Sequence, residues 1–253
     1  MRRETAQKLT QLTSDFYQQV SESFSATRSA PWEGWQRVLD SLDAPPRAVI
    51  DLACGNLRFE RFLAEKIKPA VPLEAYAYDS CDALVNAASA IPGVTVHYAH
   101  LDLAQTLLTD DVLTSQLAAP PCDLAVCFGF LHHLPLPEQR ARLVQALVRG
   151  TRPGGVVALT FWQLSNSERL LKKARATTAE AAERFSLADL AENDYLLGWQ
   201  DRTDVVRYAH DFTEPELDAL VTAAPDAREL ARFSADGATG NLNRYLLLQR
   251  LSS

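Results

Sequence analysis

Long apolar runs, a basic excess and metal-spaced cysteines are all missing from this 253-residue chain. The longest apolar stretches, residues 124–131 and 156–162, fall well short of the roughly 18–20 residues that cross a bilayer, so no membrane segment is expected. The amino terminus, Met1-Arg2-Arg3-Glu4-Thr5, has two basic residues but no apolar stretch behind them, which predicts no signal peptide and a cytoplasmic protein. Cys54, Cys81, Cys122 and Cys127 show no Cys-x-x-Cys spacing, and three lie in apolar stretches; buried thiols are expected, with neither disulfides nor zinc. Acids outnumber bases by 32 to 25, a formal charge of -7. That balance gives no global attraction for polyanions, so a nucleic-acid role would need a local basic patch. What is present is an ordinary globular composition, 47% apolar and 23% charged. The length allows one large domain or two small ones, and no repeat, low-complexity tract or clean linker divides it.

Short apolar, β-favouring runs occupy residues 48–52, 73–78, 94–98, 124–128 and 156–161, with helical periodicity over 59–68, 80–90, 103–117 and 136–149. This alternation predicts βαβ units and an open parallel sheet of the α/β class. Residues 164–207 are rich in Ala, Glu, Leu, Lys and Arg, with no glycine before Gly198, and read as a helical insertion acting as a lid. The tail, 208–253, resumes with a helix over 214–224, a strand over 229–233, a turn at Asp236-Gly237 and a closing strand over 244–249. Residues 1–45 form a helical arm carrying Phe16, Tyr17, Phe24, Trp32 and Trp35 ahead of a core at 46–163. One domain, 1–253, is expected.

The first strand runs into Asp51-Leu52-Ala53-Cys54-Gly55-Asn56-Leu57-Arg58-Phe59. A tight turn that leaves strand one and opens a helix lets the backbone approach a nucleotide-like ligand and aims helix N–H groups at it. Gly55 suits that turn. Asp51 selects among ligands: at the carboxyl end of strand one it repels a pyrophosphate but suits a ligand bringing an ammonium and a sulfonium, as S-adenosylmethionine does. Strand two ends in Asp79, followed by Ser80 and 28 residues after Asp51, somewhat beyond the roughly 20-residue interval of a ribose-binding acid. The loop at 69–72 accounts for the extra length. After strand three, Asp102 is placed to bond an adenine amino group while Leu103 packs the ring; for either acid a helix N-cap is the alternative. Strand four leads to Phe130-Leu131-His132-His133-Leu134-Pro135, and the turn Arg152-Pro153-Gly154-Gly155 precedes strand five.

In this order the features resemble the class I S-adenosylmethionine-dependent methyltransferases over about residues 48–162. That family's series is an acid-x-Gly-x-Gly turn, an acid ending strand two, an acid after strand three and a strand-four segment often ending Leu-His-His. The resemblance implies a Rossmann-like, doubly wound, seven-stranded, mostly parallel sheet with a helical N-terminal arm and a helical insertion after strand five. It implies S-adenosylmethionine as cofactor, held by Asp51, Gly55, Asp79 and Asp102, with Ser80 and Leu103 beside them. Backbone at Ala53, Asn56, Cys127 and Phe128 would line the pocket. Ala53 and Leu57 stand where glycines are common. Ala53 is expected to need a negative φ, and Leu57, in the first helical turn, to point into the core.

Two flanking segments are more specific. Phe24-Ser25-Ala26-Thr27-Arg28-Ser29-Ala30-Pro31-Trp32 and Arg207-Tyr208-Ala209-His210-Asp211-Phe212 are similar to elements of tRNA wobble-uridine carboxymethyl methyltransferases. That resemblance implies esterification of the carboxylate of 5-carboxymethyluridine in tRNA, often with a small zinc-containing activator subunit. Arg28 and Arg207 would hold anions, whether the cofactor carboxylate, to which Arg28 is assigned, the acceptor carboxylate or a phosphate, a task suited to the guanidinium fork, while Tyr208 and His210 would shape the acceptor pocket. A carboxylate acceptor needs no base; for another acceptor the base candidates are His132, His133 and His210. Of the adjacent pair, one imidazole at most is expected to face the pocket while the other bonds backbone. Arg169, Lys172, Lys173 and Arg175 form the densest basic cluster, either a solvated helix face or a phosphate contact. Two alternatives remain. In one, residues 164–200, with Trp162, Phe185 and Trp199, close over a small-molecule substrate; in the other, the chain is a non-catalytic cofactor-binding partner.

Overall fold

The computed structural model describes residues 1–86, 90–109, 112–200 and 202–252. Helices α1 (Arg3–Ala26) and α2 (Gly34–Asp40) form the arm. The core alternates β1 (Ala48–Leu52), α3 (Arg58–Ile67), β2 (Leu73–Asp79), α4 (Asp82–Asn86), β3 (Val94–His100), α5 (Leu103–Leu108), α6 (Leu113–Gln116), β4 (Cys122–Cys127), α7 (Pro137–Gly150) and β5 (Thr151–Trp162). Then come α8 (Glu168–Arg184), β6 (Asp194–Trp199), β7 (Arg202–His210), α9 (Glu214–Thr222), β8 (Ala227–Ala235) and β9 (Asn243–Arg250). The sequence reading of one helix over 103–117 becomes two short ones, and its positions 110 and 111 lie outside the described residues, as do 87–89 of the helix read over 80–90.

Seven strands build the main sheet in the order β3-β2-β1-β4-β5-β9-β8. The first five are parallel, while β9 runs antiparallel to both β5 and β8. Side chains alternate between faces, so each buried strand supplies two cores. Ile50, Ala125, Val157 and Leu246 pack on the face covered by α7 and α9, whereas Val49, Leu124, Ala158 and Leu247 meet Trp35, Phe59 and Phe62 on the other. Chain order reverses between β1 and β4, and Asp51 sits there, in register with Ala77 of β2 and Val126 of β4. The carboxyl ends of strands flanking such a reversal open onto a crevice, the usual ligand position in an open α/β sheet.

The insertion is helical only as far as Arg184. Beyond it, β6 and β7 form an antiparallel hairpin, so β-structure replaces the helix expected up to residue 207. The reason lies in Tyr195-Leu196-Leu197 and Val205-Val206-Arg207-Tyr208, aromatic and β-branched residues on both sides of Gly198 that favour a pleated, half-buried surface. Leu9 of α1 and Ala181 of α8 pack against Leu196, Val206 and Tyr208 of the hairpin. Arm and insertion therefore form one small layer roofing the crevice. No helix among the described residues is long and apolar enough to cross a membrane.

Candidate active site

Under that roof lies a cavity of about 320 Å³. Its floor is the β1 turn. The N–H groups of Ala53 and Cys54 both donate to the Tyr78 carbonyl, at 2.8 and 3.1 Å, and fold the chain back toward β2. Asp79 then clamps the turn: one carboxylate oxygen accepts from Gly55 N–H and the other from Cys81 N–H, both at 2.8 Å. Gly55 has φ 56, and a Cβ added there would meet no atom within 4 Å. The open space beside its backbone is the cavity itself, which a close-approaching ligand requires.

Ala53 and Leu57 depart from expectation. Their φ values are 63 and 57, both left-handed, where a Cβ costs roughly 1–2 kcal/mol. The negative φ expected of Ala53 is not adopted, because the two bonds to Tyr78 and the clamp at Gly55 over-determine the turn. Leu57 does bury its side chain, against Ala77, Val85 and Ile91.

Of the residues proposed from sequence, Arg28, Asp51, Ala53, Gly55, Asn56 and Asp79 lie in the cavity wall, as do Ser80, Asp102, Leu103, Phe128, His132 and Arg207. Asp102 caps α5, accepting from Gln105 N–H at 2.9 Å, and also lies in the cavity wall. Asn56 reaches the arm, donating to the Arg28 carbonyl at 3.1 Å. Arg58 donates to the Ala30 carbonyl at 2.8 Å, a second strap between arm and core.

Cys127, Tyr208 and His210 are corrections, since none is in the wall. Cys127 is wholly buried in the core on the α7 face. Tyr208 and His210 belong to a network behind the cavity: both bond the same Asp194 oxygen, at 2.6 and 2.8 Å, and His210 Nε2 meets Glu216 at 2.7 Å. Arg140 reaches both Glu216 and the Tyr208 hydroxyl. Burial alone would lower the His210 pKa, but its bonds to Asp194 and Glu216 prevail and raise it. This network staples β6, β7, α7 and α9 together.

The two histidines after β4 lie in a 3-10 turn, and this irregular backbone lets both reach the cavity wall, contrary to the expectation for a regular element. His133 bonds the Tyr208 carbonyl through Nδ1 and the Tyr17 hydroxyl through Nε2. His132 stacks on Trp162, with centroids 4.5 Å apart, and its buried Nδ1 has no hydrogen-bond partner. Burial holds both pKa values down, that of His133 to about 3, so both imidazoles are neutral.

Arg207 is the least compensated cation in the wall. It is 5% exposed and enclosed by the rings of Phe16, Tyr17, Phe24, Trp162 and Trp199, with its guanidinium carbon 4.7–6.0 Å from their centroids. Among the described residues its one polar contact is a 3.4 Å bond to the Tyr17 hydroxyl, and Nε has no partner. No carboxylate among the described residues pairs with it. Arg28 lies close by, and burial together with the Arg207 charge lowers its pKa.

The wall also carries negative charge. Asp51 is backed by Glu60, whose buried carboxylate oxygens accept no hydrogen bond from any other described residue. A cavity whose wall brings poorly compensated acids and arginines together suits a ligand bearing both ammonium and carboxylate, or a cation beside an anion. S-adenosylmethionine, which brings an ammonium, a sulfonium and a carboxylate, fits this donor set. Sequence reading overlooked Glu60, Tyr17 and Arg58. Helical spacing from Glu60 to Leu63 and Ile67 was a usable sign that Glu60 faces inward.

The family model described as "Methyltransferase domain" matches residues 50–159. A protein named as a methyltransferase in Encephalitozoon cuniculi is 31% identical over 196 residues, 77% of each chain. The tRNA (carboxymethyluridine(34)-5-O)-methyltransferase of Schizosaccharomyces pombe is 26% identical, covering 82% of this chain and 85% of that protein. The Arabidopsis thaliana protein of the same name is also 26% identical, over 67% of this chain, but the match spans only 37% of its length. Among solved structures, a SAM-dependent methyltransferase from Methanosarcina mazei superposes with a TM-score of 0.61 at 18% identity, covering 86% of this chain and 98% of that one. The crevice at the β1–β4 reversal, the clamped turn and these relatives agree: the chain belongs to the class I S-adenosylmethionine-dependent methyltransferases.

Proposed function

We propose that this enzyme esterifies a carboxylate, and that its substrate is the 5-carboxymethyl group of a tRNA wobble uridine. The observation that carries the reading is Arg207. A buried guanidinium without a counter-ion costs several kcal/mol, a cost offset when an anion docks against it. Its planar fork matches a carboxylate bidentately, and Arg28 adds a second positive charge. The relatives from Schizosaccharomyces pombe and Arabidopsis thaliana, whose names state this acceptor, support the same choice.

In the proposed site Asp51, Asp79, Ser80 and Asp102 hold the cofactor, with Leu103 and Phe128 packing its nucleoside and the backbone of Ala53, Gly55 and Asn56 passing close to it. Bound there, S-adenosylmethionine supplies a methyl group made electrophilic by its sulfonium. The chain has to exclude water and align acceptor with donor; Trp162, Tyr17 and Phe24 form the dry roof, and Arg207 orients the acceptor carboxylate. A carboxylate arrives ionised, so no proton has to be removed. The neutral His132, stacked on Trp162, accordingly serves as part of the wall.

The test is transfer of labelled methyl from S-adenosylmethionine into cell extract split into tRNA and low-molecular-weight fractions, with extract protein added in a parallel run to supply any activator subunit. Label that enters tRNA and is released by mild base supports the wobble ester. Label confined to small molecules moves the function to metabolite methylation under the same roof.

A further inference from the structure

Glu60 is a buried charge for which the proposed chemistry has no use. It lies in the first turn of α3, between Phe59 and Phe62, which pack into the core. Its side chain is fully buried, and no donor from any other described residue satisfies either carboxylate oxygen, though its own backbone N–H is near enough to favour the charged form. In front of it stands Asp51, 3% exposed and facing the cavity, with the two carboxyl groups within hydrogen-bonding reach of each other. Two acceptors in such contact can bond only when one carries a proton, because like charges this close in a dry site cannot both ionise.

The surroundings leave the pair negative. Asp79 of β2 adds a third carboxylate, though one already satisfied by the N–H groups of Gly55 and Cys81. The thiols of Cys54 and Cys127 face the same acids and are pushed up by burial first and by those acids second, so both stay protonated. Arg61 lends Glu60 some positive field but spends a guanidinium N–H on the Asn56 carbonyl.

We propose that Asp51 and Glu60 share one proton in the free protein, and that the cofactor ammonium, arriving beside Asp51, displaces that proton to solvent. Glu60 is thereby a positioning residue that makes cofactor binding proton-coupled. The inference rests on the cofactor site proposed above. Burial supports it, raising Glu60 to about 7 and Asp51 well above the ordinary carboxylate range, so the proton is held near neutrality. The proton that leaves is taken up by buffer, and the ligand's positive charge replaces it against the two carboxylates.

Calorimetric titration of the full chain with S-adenosylhomocysteine at about pH 7, in phosphate and in Tris, counts protons through the different ionisation heats of the buffers. Wild type should release close to one proton, and Kd should tighten toward tenfold per pH unit between about pH 6 and 8. Glu60→Gln, which offers Asp51 an N–H donor in place of a shared proton, should bind with no release and with a Kd that varies less than about twofold over that range. Binding by wild type without release, or equal release by Glu60→Gln, overturns the proposal. No binding by wild type at any pH removes the cofactor site itself. An infrared band of a protonated carboxyl in free wild type, lost when S-adenosylhomocysteine is added, tests the same point without a variant; its absence also overturns the proposal.

Discussion

The phenol of Tyr17 lies 2.9 Å from Nε2 of His133, 116 residues away in the chain. His133 Nδ1 faces the Tyr208 carbonyl, so Nδ1 carries the hydrogen and Nε2 accepts from Tyr17. The same hydroxyl accepts from Arg207. One tyrosine of the arm thus joins the turn after β4 to the hairpin that closes the cavity. Tyr17→Phe should cost about 1 kcal/mol, seen as a fall in Tm of roughly 2–4 °C, and should raise the acceptor KM. An unchanged Tm and KM would show that the arm is held by its apolar contacts alone.

Asp51→Ala should abolish S-adenosylhomocysteine binding while leaving the fold intact, because it removes one of two buried carboxyl groups that hold a single proton between them. Calorimetry decides: affinity within about twofold of wild type, well under the roughly 1.4 kcal/mol of a tenfold change, rejects the assignment.

Arg207→Ala should lower turnover roughly 10- to 100-fold, the range of a charge-assisted hydrogen bond, with little change in cofactor affinity. Arg207→Lys keeps the charge but loses the fork and should recover only part of the activity. Equal effects on turnover and cofactor binding would place Arg207 against the cofactor instead.

The left-handed backbone at Ala53 and Leu57 predicts opposite outcomes for one substitution. Ala53→Gly relieves about 1 kcal/mol of strain, partly offset by the freedom of glycine in the unfolded chain, for a Tm gain of roughly 1–2 °C. Leu57→Gly relieves the same strain but empties a buried site, a loss of roughly 2–4 kcal/mol, and should lower Tm. Thermal melts of both variants check the signs.

His132 gives a pH prediction. Its folded pKa lies well below 6.5, so under about pH 6.5 the unfolded chain binds a proton that the native state excludes. Its presence therefore withdraws stability as pH falls from 6.5 toward the folded value. His132→Asn removes that slope, so relative to wild type the variant should gain up to about 1.4 kcal/mol for each pH unit below 6.5. Urea melts of both proteins at descending pH measure it; a constant difference would mean that His132 is protonated in the native state.

Much of the core was legible because its signal is local. Strand β1 occupies the apolar run that marks it, and the Asp236-Gly237 turn joins β8 to β9 as its residues require. The hairpin β6–β7 was less legible, because the helical composition of residues 164–184 masks the short β-favouring runs at 195–197 and 205–208, which α1 and α8 then bury. Tyr208 and His210 illustrate the same limit. Their motif marks the hairpin, but alternation on a strand sends Arg207 to the cavity and Tyr208 to the network behind it.

By itself the sequence determined the class of fold, the turn after β1 and the acids that end three strands, since these follow from hydrophobic period and from residue type at a turn. Only the tertiary structure decided which charges are left uncompensated. Whether Arg207, Asp51 or Glu60 has a partner depends on side chains brought together from α1, β1, α3 and β7, and burial makes the absence of that partner costly enough to call for a ligand.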